Sequence, residues 1–344
     1  MRIIMLYAND LFDSDIEEKS IAGTQTAFIE LSRAFQELGN TVYVYTGTLK
    51  ILETEGRTWN QLSQVDASFE FDLMIVNVSP YLLENFSHIK TRKKILWIHN
   101  EAKYLLYWHR LKYLLKFRPV VVFSGNYHKS TLPFFIPTGG RKVISYGISD
   151  AVFKVPPYNQ VERNKKVYFT SNPLRSLRWL VDLWVAEIHP KCPEAELNIF
   201  AGWKTYGAWG NSVKTRMQTE VEYASQFSEH KIIIRDVIPK HELFQEMKNG
   251  RAMFYRGDRA ETFCLAVAEA QALGLPAVVC DLGSMKERVE HGVTGFVANT
   301  DADFVKYAMR VLTDDQLCGK LGENAIQLSK KTTWISASNQ FMSI

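Results

Sequence analysis

Short apolar runs alternate with longer amphipathic segments along the first half of the chain. Residues 3–7 are apolar enough for a buried strand, and a stripe with period 3.6 runs from Ala27 to Leu38 before Gly39-Asn40 ends it. Residues 41–45 again predict a strand, and further strands are predicted at 73–76, 94–98 and 120–123. Strands that alternate with helices in this way predict a parallel sheet with helices on both faces.

The second half of the chain repeats this pattern. Strands are predicted at residues 167–170, 197–200, 231–234, 252–255, 277–280 and 295–298. Between the halves, the segment 155–166 contains Pro156-Pro157 and many polar residues, which favours a linker. The sequence therefore predicts an α/β protein with two doubly wound domains and a boundary near residue 158. Ligands of such sheets bind at the carboxyl ends of the strands, and here also in the cleft that the two domains face.

Composition agrees with two globular domains. The 344 residues are 46% apolar and 23% charged, and a domain averages roughly 150 residues. Forty-one Lys and Arg against 37 Asp and Glu leave a net charge of +4, which fits an anionic ligand and does not require nucleic acid. The four cysteines form no C-x-x-C pair and no apolar run is long enough to span a membrane, so a soluble, cytoplasmic protein is expected.

The segment from Glu261 to Pro276 carries the strongest chemical signal. It predicts a helix that Gly274 ends and Pro276 cannot continue, with Glu261 just before the helix and Glu269 inside it. A helical rise would place the two carboxylates roughly 12 Å apart along the axis, so that each holds one end of an extended ligand. The amides of residues 262–264 would be free at the helix start and could bind a phosphate.

Two solvated glutamates on a surface helix are the simpler interpretation of this pair. The neighbours of Glu269 argue against it, because they are small and apolar: Val267, Ala268, Ala270 and Ala272. A carboxylate in such surroundings is expensive to bury unless it has a partner.

The same segment, E-T-F-C-L-A-V-A-E-A-Q-A-L-G-L-P-A-V-V, resembles the signature of the glycosyltransferase group 1 family, the retaining family 4 enzymes. Further motifs resemble that family in the same order along nearly the whole chain: Ala22-Gly23-Thr24, Trp97-Ile98-His99-Asn100, Ser145-Tyr146-Gly147-Ile148 with Phe153, Glu287-Arg288-Val289 and 292–297. The resemblance implies the GT-B fold, in which two Rossmann-like domains face a cleft. It implies an acceptor-side domain at 1–158, a nucleotide-sugar-binding domain at 159–332, and a segment 333–344 that crosses back onto the first domain.

The resemblance also implies roles for particular residues. Glu269 would bind the ribose hydroxyls of the donor and Glu261 the hydroxyls of the transferred sugar. Thr262, Phe263, Cys264 and Leu265 would line the donor site, with the amides of residues 263–265 approaching the sugar and the diphosphate. Gly23 would let its loop approach the diphosphate, since glycine has no Cβ. His99 would assist the reacting centre, although a histidine that only caps a strand end is the alternative.

One departure from the family concerns the cations that neutralise the leaving diphosphate. The family usually has an Arg and a Lys about five residues apart in the region that here includes residues 170–178. Arg175 fills the Lys position, whereas Ser171 or Asn172 stands where the Arg is usual. Lys204, Arg256 and Arg259 are candidate substitutes. In addition, Cys264 occupies a position where glycine is common in the family.

No catalytic metal or other cofactor is expected. The two D-x-D sequences, Asp13-Ser14-Asp15 and Asp301-Ala302-Asp303, are explained by a solvated loop and by a helix start. The basic, aromatic stretch 103–118 predicts a domain helix with cations at its surface, or alternatively a helix that contacts an anionic membrane face or acceptor.

These observations predict a retaining glycosyltransferase. It would move a sugar from a GDP-, UDP- or ADP-sugar to a sugar, glycan or lipid hydroxyl, without nucleic acid as a partner. Arg175, Glu261 and His99 would serve the reaction. A sugar-nucleotide 2-epimerase of the same fold and a non-catalytic membrane- or nucleic-acid-binding module remain alternatives. An oxidoreductase is disfavoured, because no G-x-G-x-x-G follows a strand.

Overall fold

The structure is a computed structural model that describes residues 1–11, 18–48, 52–54, 57–66, 68–155 and 164–344. The chain divides into two compact units. The first takes in the described residues of 1–15, 24–147 and 332–344, and the second those of 16–23 and 148–331. The predicted boundary near residue 158 lies outside the described residues, and the units divide in the chain between Gly147 and Ile148.

The first unit is built on a sheet of eight strands among the described residues. In the order β3-β4-β2-β1-β5-β6-β7-β8, all neighbours are parallel except β3 and β4. The strands in chain order, β1 to β8, are Arg2–Tyr7, Thr41–Thr46, Leu52–Thr54, Arg57–Gln61, Phe71–Asn77, Thr91–Trp97, Val120–Phe123 and Gly140–Val143.

Helices of the first unit cover this sheet with apolar faces. The helix Gly23–Glu37 buries Ala27, Phe28, Leu31 and Phe35, which is the stripe that the sequence predicts. The other α-helices of this unit are Leu82–Asn85, Trp108–Phe117, Asn126–Ser130 and Trp334–Met342, with 3₁₀ turns at Leu62–Gln64 and Ala102–Leu106.

The C-terminal helix Trp334–Met342 packs within the first unit. Trp334 stacks on Tyr146 with 5.9 Å between ring centroids, and Phe341 meets Trp97 edge-on at 5.3 Å. Gly147 permits this approach, because a Cβ there would lie 2.1 Å from the backbone nitrogen of Trp334. A glycine at this position thus lets the end of the chain lie directly against the strand-end segment 145–147.

The described strands of the second unit, β9 to β14, are Lys166–Phe169, Glu196–Phe200, Ile232–Arg235, Ala252–Tyr255, Ala277–Cys280 and Gly295–Ala298. These six strands form a sheet in which all pairs are parallel, in the order β11-β10-β9-β12-β13-β14. Its α-helices are Asp150–Phe153, Leu177–Leu183, Gly207–Ser212, Lys214–Ser225, Lys240–Met247, Leu265–Ala272, Met285–Arg288, Asp301–Thr313 and Asp315–Ser329. A π-helical turn, Trp184–Ile188, and 3₁₀ turns at His189–Lys191, Trp203–Tyr206 and Ser228–His230 complete the unit.

The predicted α/β class with two Rossmann-like parallel sheets is confirmed. Every strand predicted from the apolar runs is present, with ends shifted by at most a few residues. Strands β3, β4 and β8 were not predicted. They lie at or next to the edges of the first sheet, where polar residues such as Asn60 and Lys142 replace the apolar pattern.

Candidate functional site

Glu261 is the centre of a polar cluster in the second unit, in the loop between β12 and the helix Leu265–Ala272. Its side chain is 9% exposed and forms an ion pair with Arg175. Its Oε2 also accepts a hydrogen bond of 3.0 Å from the Tyr255 hydroxyl at the end of β12, and its Oε1 accepts one of 3.2 Å from the Cys264 amide. A buried carboxylate is therefore held by one cation and two neutral donors.

The backbone around Glu261 is fixed by a second loop, which follows β13. Gly283 has a φ of +58°, and a Cβ there would lie 2.6 Å from the carbonyl oxygen of Glu261. The amide of Ser284 donates to that same carbonyl at 2.9 Å. Only glycine fits this position. Gly283 and Ser284 together therefore fix the position of the Glu261 backbone.

Cys264 corrects the prediction for the start of the helix. The helix begins at Leu265, so a helical rise from Glu261, and the 12 Å separation derived from it, do not apply to residues 261–264. The Cys264 amide, which was expected to be free, donates to Glu261. Cys264 itself has a φ of +65°, a conformation that costs a non-glycine residue about 1–2 kcal/mol. Burial, followed by the charge of Glu261, raises the pKa of its thiol well above the usual value.

Arg175 lies in the turn between β9 and the helix Leu177–Leu183. The Asn172 side chain accepts a hydrogen bond of 2.9 Å from the Leu174 amide, and the Asn172 carbonyl accepts one of 2.9 Å from the Arg175 amide. Asn172, which with Ser171 is one of the two candidates for the position of the usual family Arg, thus shapes the turn that presents Arg175. Burial is the largest single influence on the pKa of Arg175 and lowers it. Glu261, together with Tyr255, Tyr206 and Cys264, outweighs burial and raises that pKa overall, so the guanidinium is always charged.

Glu269 forms a second buried ion pair, with Lys240. Glu269 lies in the second turn of the helix Leu265–Ala272, and the side chains of Glu269 and Lys240 are 7% and 15% exposed. Burial raises the pKa of Glu269, and the nearby ammonium of Lys240 opposes this shift. The cost of burying Glu269 alone, inferred from the sequence, is therefore met by a cation at the start of the helix Lys240–Met247.

Arg288 is a further cation beside the loop of the cluster. Its guanidinium lies 4.0 Å from the ring centroid of Phe263, and its buried Nε has no hydrogen-bond partner among the described residues. Burial lowers the pKa of Arg288 to about 10, which still leaves it charged at neutral pH. Both Arg175 and Arg288 act electrostatically on the Cys264 thiol. Two guanidinium groups and the Glu261 carboxylate therefore act together on the loop at Cys264.

The other candidate cations, Lys204, Arg256 and Arg259, are placed less favourably than Arg175 for binding a diphosphate. Lys204 and Arg259 are exposed, and Arg256 lies over the ring of Trp179 with 4.9 Å to its centroid. The sequence predicts no role in the site for Tyr255, Lys240 or Arg288. The apolar surroundings of Glu269 signalled that a partner was needed, but its identity depends on tertiary contacts.

Gly23 is grouped with the second unit, although the helix that it begins continues into the first. A Cβ built on Gly23 would lie 3.7 Å from the Cβ of Leu265, which is an ordinary contact. Gly23 therefore lies beside the first residue of the helix that carries Glu269. The side chain of Leu265, like those of Thr262 and Phe263, is buried.

His99 is buried in the first unit, two residues after the end of β6. Its Nε2 donates to the Asn77 side-chain oxygen at 2.6 Å, and its Nδ1 bonds to the Tyr146 hydroxyl. Burial, helped by the nearby His128, lowers the pKa of His99 to about 3. The imidazole is therefore neutral at physiological pH, and both of its ring nitrogens have protein partners.

The buried histidines predict that the first unit loses stability in mild acid. Burial also lowers the pKa of His128, to about 4, whereas an unfolded histidine titrates near 6.5. Between these values the unfolded chain binds more protons than the folded chain, so stability falls as the pH falls below 6.5. Each histidine is expected to remove about 1.4 kcal/mol per pH unit between pH 6 and pH 5. Urea unfolding at several pH values measures this slope.

Two substitutions separate this effect from general acid instability. His128→Gln is expected to remove about half of the slope, since one of the two titrating groups is gone. His88→Gln is the matched control, because His88 is exposed in the same unit and should leave the slope unchanged. The same slope in all three proteins would contradict the assignment.

Comparison with known proteins identifies the segment that contains Glu261 and Glu269. Residues 214–328 match the family described as "Glycosyl transferases group 1". This segment, which lies in the second unit, is similar to the group 1 glycosyl transferases. The resemblance predicted from the motifs is thereby confirmed, and a search of curated protein sequences finds no significant match.

Solved structures with the GT-B fold of glycosyl transferases match the whole chain. Sucrose-phosphate synthase from Thermosynechococcus elongatus matches with a TM-score of 0.75 at 13% identity, covering 100% of this chain and 98% of that one. Trehalose-6-phosphate synthase OtsA has a TM-score of 0.79 at 10% identity, with 100% and 98% covered. Anabaena Alr3699/HepE in complex with UDP-glucose has a TM-score of 0.70 at 16% identity, again with 100% and 98% covered. The predicted GT-B fold is therefore confirmed.

The structure describes only one of the two acidic D-x-D sequences. Asp13 and Asp15 lie outside the described residues. Asp301 and Asp303 start the helix Asp301–Thr313, as predicted, with the Thr300 hydroxyl accepting a 3.1 Å hydrogen bond from the Asp303 amide. Within the described ranges, no group of three or more His, Cys, Asp or Glu side chains could hold a metal ion.

Among the described helices, none is both long and apolar enough to cross a membrane. The predicted helix at 103–118 is present as the 3₁₀ turn Ala102–Leu106 followed by the helix Trp108–Phe117. Tyr107, between the two, is 64% exposed, and Trp108, the first residue of the helix, is 70% exposed. All four cysteines are free and buried.

Proposed function

We propose that the protein transfers a sugar from a nucleotide diphosphate sugar to an acceptor hydroxyl, with retention of anomeric configuration. The observation that carries the proposal is the pair of buried, cation-bound glutamates, Glu261 and Glu269, inside the segment that matches the family. Complexes of relatives of the same fold with UDP-glucose and UDP-2-fluoro glucose support a nucleotide sugar as the donor.

Each end of the donor would meet one of the two glutamates. We assign the ribose hydroxyls to Glu269, whose Oε1 is bound by Lys240, and the hydroxyls of the transferred sugar to Glu261. The diphosphate would lie between them, at the amides of Phe263 and Leu265, with Gly23 beside Leu265. Because the Cys264 amide is bound to Glu261, it holds the loop in shape rather than binding phosphate.

Positive charge at the diphosphate is the main physical requirement of the reaction. As the bond from the anomeric carbon to the diphosphate breaks, negative charge collects on the departing oxygens and must be compensated. We assign this compensation to Arg175 and, as the second cation, to Arg288, whose guanidinium lies over Phe263. With protein cations in these positions, we propose that transfer needs no metal ion.

The reaction would proceed on one face of the sugar. The acceptor oxygen forms a bond to the anomeric carbon as the bond to the diphosphate oxygen breaks, and the acceptor proton passes to that departing oxygen. No separate base is required, because the leaving group takes the proton. We propose that His99 acts as a neutral hydrogen-bonding group toward the sugar, in exchange for its bond to the Tyr146 hydroxyl.

The acceptor is proposed to be a sugar, a glycan or a lipid, bound by residues of the first unit. Contact of the segment 103–118 with a membrane surface is part of this proposal. It is supported by the exposed rings of Tyr107 and Trp108 beside the cations of the helix Trp108–Phe117.

Ligand-dependent melting tests the proposed function. UDP, GDP and ADP are added separately to the full chain, and the matching nucleotide is expected to raise the melting temperature by several degrees, as a ligand does that binds only the folded state. NMR of products made from the matching nucleotide sugar then reports the anomeric configuration, where an inverted product would contradict retention. Epimerised donor formed without any acceptor would favour the 2-epimerase instead. No shift with any of the nucleotides would contradict the proposal.

A further inference from the structure

The first unit contains a cavity of about 540 Å³ at the carboxyl ends of its strands. Its walls are the turn after β5, Asn100 after β6, and residues of the segment that continues into the helix Trp108–Phe117. Cavities of this size hold small-molecule ligands, and this edge of a parallel sheet is where such ligands bind.

The lining of this cavity is basic. Arg110, Lys112 and His109 contribute to it, whereas no Asp or Glu is among its lining residues. The guanidinium of Arg110 lies 5.0 Å from the ring centroid of Tyr104 and has no ion pair or hydrogen bond within the described part of the chain. Glu84 acts electrostatically on this region, but it forms an ion pair with Lys116 at 2.8 Å. The cavity therefore carries a net positive charge that its own residues do not neutralise.

The wall of the cavity is held in a strained conformation. Val78 has a φ of +62°, which is rare for a β-branched residue, and the Ser79 amide donates across it to the Asn77 carbonyl at 2.6 Å. The Tyr104 hydroxyl donates to the Val78 carbonyl at 2.8 Å. The same tyrosine thus supports the strained turn with its hydroxyl and Arg110 with its ring. Strain of this kind, at about 1–3 kcal/mol for each residue, concentrates at ligand sites.

We infer that this cavity binds the phosphate group of a phosphate-bearing acceptor, through Arg110 and Lys112. This inference rests on the proposed function only in naming the ligand as the acceptor. Planar guanidinium and ammonium groups are the usual partners of phosphate oxygens, and Tyr104 holds the former in place. The phosphate can belong to a water-soluble compound or to the headgroup of an anionic lipid.

The experiment compares three forms of the full chain, each saturated with the matching nucleotide, UDP, GDP or ADP, so that the donor site is filled. They are the wild type, the cavity variant Arg110→Gln/Lys112→Gln, and the control variant Arg92→Gln/Lys93→Gln. The control also removes two positive charges, but from the exposed start of β6, whose residues do not line the cavity. Calorimetry measures binding of glycerol 3-phosphate against glycerol. Sedimentation measures binding to phosphatidylcholine vesicles with and without phosphatidic acid.

We expect the phosphate-bearing probe to bind the wild type at least about tenfold more tightly than its neutral counterpart. The affinity of the cavity variant for this probe should be about tenfold lower than that of the wild type, and the affinity of the control variant should differ by less than about twofold. Cavity-dependent binding of glycerol 3-phosphate indicates a soluble acceptor, and cavity-dependent binding of phosphatidic acid vesicles alone indicates a lipid. If neither glycerol 3-phosphate nor the phosphatidic acid vesicles bind in a cavity-dependent way, or if the cavity and control variants lose affinity equally, the inference is overturned. A wild type that binds none of UDP, GDP and ADP overturns the proposed function instead, and the phosphate measurements still decide the cavity.

Discussion

Replacement of Arg175 by alanine is expected to lower kcat by about 10²–10³-fold, the effect of removing one preorganised donor from a developing anion. The guanidinium is fixed by Glu261 and by the Asn172 turn, so it needs no rearrangement as the diphosphate departs. Affinity for the nucleotide should fall much less, because the charge on the leaving oxygens increases in the transition state. Initial rates over a range of donor concentrations separate kcat from KM, and calorimetry gives the affinity for the nucleotide.

Arg178→Ala is the matched control for this prediction. Arg178 lies three residues further along the chain and pairs with Glu220 at 3.1 Å, with 43% of its side chain exposed, so its loss should leave kcat nearly unchanged. Because Arg175→Ala leaves Glu261 without its cation, the double variant Arg175→Ala/Glu261→Gln should be more stable than the single one without regaining kcat. Equal losses of kcat in Arg175→Ala and Arg178→Ala would contradict the assigned role.

Arg288→Ala tests the second cation in the same assay. We expect a loss of kcat smaller than that of Arg175→Ala, since Arg288 lies behind the ring of Phe263 rather than in the Glu261 cluster. An unchanged kcat would leave Arg175 as the only assigned cation at the diphosphate.

The sequence was sufficient to predict the central strands, but it was insufficient to predict the strands at the edges of the first sheet. Strands such as β12 and β13 are buried on both faces, so they appear as uninterrupted apolar runs that are easily recognised. In contrast, β4 and β8 are polar and owe their strand conformation to pairing with a neighbour. That pairing is a tertiary contact, which no local pattern records.

In the candidate site too, some features follow from local sequence patterns and others depend on tertiary contacts. Glu261, Glu269 and Arg175 could be selected from motifs and spacing, and the structure gives each glutamate its own cation. The partners Lys240 and Tyr255 lie 29 and 6 residues from the carboxylates they bind, on other elements of the fold. The left-handed backbone of Cys264 also departs from expectation, because the predicted helix start assumed ordinary helical geometry there.

Loss of the Glu269 carboxylate should affect stability and nucleotide binding together. Glu269→Ala is expected to lower the free energy of unfolding by about 3–5 kcal/mol, because it leaves the buried ammonium of Lys240 without its partner. It should also weaken UDP binding by about 10–100-fold, the value of hydrogen bonds to a charged group. Urea unfolding measures the first effect and calorimetry the second.

A neutral version of the pair separates these two roles. Lys240→Met with Glu269→Gln removes both charges and keeps the volume of each side chain, so most of the lost stability should return. The affinity for UDP should remain low, because the carboxylate that we assign to the ribose hydroxyls is still absent. If the double variant binds UDP as well as the wild type does, Glu269 is a structural partner of Lys240 and the ribose must be held by other groups.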